Sequence, residues 1–242
     1  MLPALPPAPA PEPPQAPLAA QADALLRQDQ AEAAIRLLAG RASAPALGDR
    51  LGRALMRAGR YEEAGFHYEA MLREHKRFAP AFYGLAWSWL AREQRGMALM
   101  PLAEAVRLQP AYQAGWRELG HCYYIMKRYD RAEAACDRAV AMAPSDAEAW
   151  RLLGLARWGQ AKAEGALAAF EQASVLDARD ALSRRMRGRL HLEAGAAAKA
   201  VLPLEEALAL APDHAETRQR LTAALKAQGR YLEAAKLMLG WR

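Results

Sequence analysis

The chain contains no asparagine, only two cysteines and only four phenylalanines in 242 residues. Two cysteines, Cys122 and Cys136, are too few for a disulfide framework. β-Branched residues are scarce while alanine, leucine and arginine dominate, which leaves little to build a sheet from. No apolar run approaches the length needed to span a membrane, and the first residues lack the basic region and apolar core of a secretory signal. The chain as given is therefore expected to be soluble and cytoplasmic, or periplasmic or membrane-tethered if a signal segment was removed. A Gly-rich phosphate loop, a His-Glu-x-x-His pair and a Cys-x-x-Cys pair are also missing. His121 adjoins Cys122, but both cysteines stand at repeat positions filled elsewhere by core residues, which reads as thiol packing rather than a metal site. The remaining histidines are scattered. No enzyme, metal or cofactor is expected.

What is present is a helical repeat. Hydrophobic residues make up 53% and charged residues 25%, enough to bury a core and stay in solution, and the net charge of +6 tilts partners toward acidic surfaces. Residues 1–17 are proline-rich and should form an extended arm, a tether or a docking segment for a proline-reading module. From residue 45 onward the sequence repeats every 34 residues. Ala64, Ala98, Ala132, Ala166, Ala200 and Ala234 mark one position without a gap. Leu51, Leu85, Leu119, Leu153, Arg187 and Leu221 mark a second, followed at once by Gly52, Ala86, Gly120, Gly154, Gly188 and Thr222. A large-residue position holds Tyr68, Leu102, Cys136, Phe170, Leu204 and Met238, and Pro110, Pro144 and Pro212 close their units. Small residues let two helices approach and the large residue fills the space beside them. A fixed period of this length marks a solenoid.

The repeat divides the chain into units 45–78, 79–112, 113–146, 147–180 and 181–214 with a partial sixth over 215–242. A weaker helix pair over 18–44 echoes the same turn in Gln30-Ala31-Glu32-Ala33-Ala34. Gly59, Gly195 and Gly229 fall where a first helix must turn back. Ser145 with Glu148, and Asp213 with Glu216, have the spacing of a capping box. Pro101 and Pro203 should lie near the first turns of second helices, where proline costs least.

Trp116, Leu119, Gly120, Tyr123, Ala132, Ala139 and Pro144, and again Trp150, Leu153, Gly154, Ala166, Phe170 and Ala173, resemble the tetratricopeptide-repeat pattern. The resemblance covers residues 45–242 and implies an all-α, right-handed α-solenoid of stacked helix-turn-helix repeats. It also implies a protein-binding scaffold, adaptor or assembly factor, of the kind that in bacteria often serves envelope or secretion machinery. In this family the first helix of each unit lines a concave groove. The matching positions are Arg53 and Arg57, then Tyr83 and Trp87 (with Leu90), Arg117, His121 and Tyr124, Arg151, Leu155 and Trp158, and Arg185 and Arg189 (with Leu192).

Arg117, Arg151 and Arg185 stand 34 residues apart. A unit advances roughly 10 Å and an extended peptide about 3.3 Å per residue, so such a ladder suits an acidic group at every third residue of a ligand. Arginine grips carboxylates in two places, and the aromatics would supply apolar contacts. The chaperone-binding members of the family grip a terminal carboxylate with lysine and asparagine, a pattern closed to a chain without asparagine. Two rival readings remain: an RNA-binding repeat protein, since arginine and aromatics also suit phosphates and bases, and the substrate-selecting part of a larger enzyme. Arg184 and Arg187 depart from the family pattern: Arg187 is expected to snorkel past the core or pair with a carboxylate such as Glu171, Glu205 or Glu206, with extension of the basic groove as the alternative. The apolar end Leu237-Met238-Leu239-Gly240-Trp241-Arg242 would be covered by a continuing array, by a partner or second copy in a homo-oligomer, or by Trp241 folding back.

Overall fold

The computed structural model describes residues 16–239, which form fourteen α-helices and no strand. A short pair, α1 (Ala16–Arg27) and α2 (Ala31–Leu38), comes first. The first helices of the following units are α3 (Pro45–Arg57), α5 (Ala79–Ala91), α7 (Gln113–Ile125), α9 (Ala147–Gly159), α11 (Ala181–Glu193) and α13 (Ala215–Ala227). Their second helices are α4 (Tyr61–Glu74), α6 (Arg95–Leu108), α8 (Tyr129–Met142), α10 (Ala163–Leu176), α12 (Ala197–Leu210) and α14 (Tyr231–Leu239). The chain divides into two compact units, Met1–Met126 and Lys127–Arg242. Ala16 and Pro17, expected in the extended arm, instead open α1, where a missing proline N–H costs nothing; residues 1–15 of the arm and Trp241 lie outside the described residues.

Each core repeats one arrangement. Tyr68, Leu102, Cys136, Phe170 and Leu204 are fully buried, and Tyr68, Phe170 and Leu204 press from their second helices against glycines of first helices. A Cβ on Gly52 would lie 2.3 Å from the Tyr68 ring, one on Gly154 2.7 Å from the Phe170 ring, and one on Gly188 2.4 Å from Leu204. Glycine in mid-helix costs roughly 1 kcal/mol relative to alanine, and here that cost is offset by close packing of a large side chain. At the sixth occurrence of this position, Met238 is 57% exposed, because no helix among the described residues covers that side of α14.

The turn between the helices of a unit is a repeated Schellman closure. The N–H of Arg60 donates to the Leu55 carbonyl at 2.9 Å, as Gln94 does to Trp89, Lys162 to Arg157 and Arg230 to Leu225 at the same distance. This closure needs a left-handed residue just before the donor. Gly59, Gly195 and Gly229 supply it, but Glu93, Lys127 and Ala161 adopt it too, with φ between 57 and 59°.

The caps differ from the sequence expectation. Asp146 and His214, one residue beyond Ser145 and Asp213, cap α9 and α13 by accepting from the N–H of Ala149 and Thr217. Pro101 and Pro203 are the seventh residues of α6 and α12, in the second turn rather than the first. Each therefore removes a mid-helix hydrogen bond to the carbonyl four residues earlier. The bulky position of the first helix also acts as a donor. The indole N–H of Trp116 reaches the Pro110 carbonyl and that of Trp150 the Pro144 carbonyl, both at 2.8 Å, while an Arg218 Nη reaches the Pro212 carbonyl at 2.6 Å. Arg184 does the same work by donating to the carbonyls of Asp180 and Ser174 at 3.1 and 3.3 Å, with Glu206 neutralising it at 3.1 Å. Arg187 leans out of the core to Glu171, 3.5 Å away, and to the Ser174 hydroxyl at 3.1 Å.

Candidate binding face

The positions expected to line a groove fall on one side of the first helices, and the two units treat them differently. In the first unit they are largely consumed by the fold. Tyr83 and Trp87 are fully buried and offer no surface to a ligand. The Tyr83 hydroxyl donates to the Gln109 carbonyl at 3.2 Å, and its ring meets Tyr112 edge-on with centroids 4.3 Å apart. Desolvation holds both phenols well above the usual tyrosine range. The Trp87 indole N–H finds no acceptor among the described residues.

Arg53 and Arg57 are likewise engaged. Arg53 Nε contacts Asp49 Oδ2 at 2.6 Å, Asp49 being buried, and Arg57 donates to the Leu26 carbonyl, tying α3 to α1. Burial pushes the Asp49 carboxyl up against the opposing pull of Arg53 and Arg50. Arg50 is itself clamped in two places by Asp23, at 3.0 and 2.9 Å. Asp49 and Arg50 are buried, so removing a partner of either leaves a buried charge under-compensated, and this network fixes the docking of α1 on α3 rather than waiting for a ligand. Arg117 lies 3.3 Å from Glu118, and His121 and Tyr124 are half-buried along the same helix.

In the second unit the same positions stay open. Leu155 and Trp158 of α9 rest half-buried on Ala166, Phe170, Met186 and Leu190. The Arg189 guanidinium of α11 stacks 4.5 Å over the Trp158 ring while its Nε contacts Glu193 at 2.6 Å. Arg151 pairs with Glu148 one turn back. Arg185 makes no ion pair among the described residues; its Nη1 instead lies 2.6 Å from Nε2 of His214. The ion-pairing roles of Asp49, Glu118, Glu148 and Glu193, and the capping role of His214, were missed in the sequence, where Glu148 has the spacing of a capping-box partner for Ser145. Three of those acids stand three or four residues from their arginines, a spacing that announces a shared helix face and could have found them.

Cys122 and Cys136 are buried, and desolvation pushes the Cys122 thiol up to about 12, so it packs as a small apolar side chain. Among the described residues no group of three or more histidine, cysteine or acidic side chains could hold a metal ion, and no helix is long and apolar enough to cross a membrane.

Residues 13–240 match the sequence profile of the cilia and flagella-associated protein 70 C-terminal domain, a tetratricopeptide-repeat family. The chain belongs to this family. Solved tetratricopeptide proteins share the fold. YrrB, a TPR protein with an unusual peptide-binding site, superposes with a TM-score of 0.70 at 20% identity, over 76% of this chain and 95% of that one. MamA from Desulfovibrio magneticus RS-1 gives 0.63 at 22% identity, over 69% and 95%. The C-terminal part of a TPR repeat-containing protein from Cytophaga hutchinsonii gives 0.66 at 16% identity, over 90% and 89%. No curated protein matches the chain by sequence. The tetratricopeptide fold is that of a protein–protein interaction scaffold, which is the general class this chain joins.

Proposed function

We propose that this tetratricopeptide chain is an adaptor or assembly factor that holds an extended, acidic segment of another protein on the first-helix face of its second unit. The observation that carries the reading is the strip formed where Arg189 stacks on Trp158, which joins α9 and α11 into one surface flanked by Leu155, Arg151 and Arg185. An aromatic plane backed by core and edged with guanidinium groups suits a chain bearing both apolar and carboxylate side chains. The peptide-binding site of YrrB supports the reading by likeness of fold. In the first unit, Arg117, His121 and Tyr124 of α7 offer a smaller face of the same kind.

Affinity capture from the source lysate with wild type beside an Arg117→Glu/Arg151→Glu/Arg185→Glu variant tests it, after matching circular dichroism and melting. Capture of an acidic protein by wild type alone is the expected result. Equal capture by both would overturn the face assignment. Capture that nuclease abolishes and that falls steeply with salt would replace it with the RNA-binding reading.

A further inference from the structure

The contact between Arg185 and His214 sets a guanidinium N–H 2.6 Å from a ring nitrogen whose role depends on which of the two ring nitrogens carries the proton. At the start of α9 and α11 the capping residue is an aspartate: Asp180 accepts from both the N–H and the hydroxyl of Ser183, and Asp146 accepts from the N–H of Ala149. A carboxylate can only accept, so this position of the repeat is an acceptor position. His214 occupies it for α13, with its Nδ1 3.2 Å from the Thr217 N–H and 2.9 Å from the Thr217 hydroxyl. To cap the helix as its counterparts do, Nδ1 must carry its lone pair, which places the ring proton on Nε2. Nε2–H then faces the Arg185 guanidinium, which cannot accept either. The neighbouring acid, Glu216, is already held by Arg220 at 2.7 Å.

We infer that Arg185 and His214 form a two-donor seat for one carboxylate of the bound segment, whose oxygen enters between the guanidinium and Nε2–H. This rests on the reading of the face as a peptide-binding surface and names the residue pair that reads its acid. A carboxylate there accepts from both groups, relieves the donor–donor contact and leaves Nδ1 to its cap. Arginine provides the charge and the fork, and the imidazole provides a directed N–H fixed from behind by α13.

The test uses the full chain and an acetylated, amidated peptide with glutamate at every third position, beside its glutamine counterpart and inorganic phosphate. Histidine-selective 15N spectra of the free protein should show the His214 proton on Nε2, and the glutamate peptide should shift that signal. His214→Asp keeps the cap, as Asp146 and Asp180 show, but removes the donor, and should weaken the peptide by about tenfold or more. Arg185→Gln should do the same, while His214→Asn, which can accept and donate together, should stay within about threefold of wild type. A free protein with its proton on Nδ1 and a bare Nε2 would overturn the seat. So would glutamate-peptide affinities unchanged in His214→Asp and Arg185→Gln, which would leave the wider face standing. Tight phosphate binding without glutamate-peptide binding would overturn the carboxylate assignment. Failure of wild type to bind the glutamate peptide at all would remove the face reading together with the seat.

Discussion

Replacing Gly84 with alanine should destabilise the first unit strongly, although alanine is the better helix former by about 1 kcal/mol. The new Cβ would lie 2.0 Å from Cζ of Tyr68, and ordinary carbon contacts need about 3.5 Å, so the ring must retreat by roughly 1.5 Å. It has nowhere to go. Gly52 crowds the same atom from the facing helix, and the Tyr68 hydroxyl is held 3.3 Å from the Asp49 carbonyl. Overpacking costs about 1–3 kcal/mol and the strained hydrogen bond about 1 more. After the propensity gain, a net loss of about 1–3 kcal/mol remains, roughly 2–12 °C in melting for a chain of this size. The assay is urea and thermal denaturation of Gly84→Ala, Tyr68→Leu and the double variant. Leucine fills this position in Leu102 and Leu204, so Tyr68→Leu opens space that the repeat already tolerates. In that background Gly84→Ala should cost less than about 1 kcal/mol, giving a coupling of about 2 kcal/mol. Additive single effects, or a silent Gly84→Ala, would refute the packing argument.

Glu133 accepts from Arg157, Gln160 and Lys162 at 3.0, 2.8 and 2.6 Å. Burial pushes its carboxyl up, but these three donors outweigh burial and hold it below the ordinary value of 4.5. Its stabilisation is therefore complete at neutral pH and is lost as pH falls from 4.5 through the lowered folded value. Glu133→Gln should cost about 1–2 kcal/mol at pH 7, and the gap to wild type should close in acid; a gap that persists there contradicts the assignment. Ala161 holds a left-handed φ of 59° where Gly59, Gly195 and Gly229 stand in other units. Ala161→Gly should stabilise by about 0.5–1 kcal/mol, and a lower melting temperature would show that the turn is unstrained.

The regular 34-residue spacing of Ala64 to Ala234 made the fold legible, because a solenoid unit must present the same small and large residues at each step to pack on its neighbour. That Arg187 would leave the core was legible, because a charge at a core position has few ways out, but the choice of Glu171 among three candidate acids was decided by packing. The candidate face was legible only as a set of positions. Tyr83 and Trp87 occupy two of those positions and are buried, while Arg151 and Leu155, 68 residues further on, occupy the equivalent ones and stay half-exposed. Position in the repeat sets the side of the helix on which a side chain starts. How far it is covered depends on neighbours distant in sequence, such as Tyr112 against Tyr83.

Charge divides in the same way. The sequence determined that arginines would line one side of the first helices. Which of them remain unpaired was decided by the packed helices, which set Arg50 against Asp23 and Arg57 against a carbonyl of α1, and left Arg185 facing a capping histidine. Helix periodicity is a local property that one chain segment carries by itself. Burial and ion pairing are sums over everything a side chain touches, and those neighbours exist only once the units have packed.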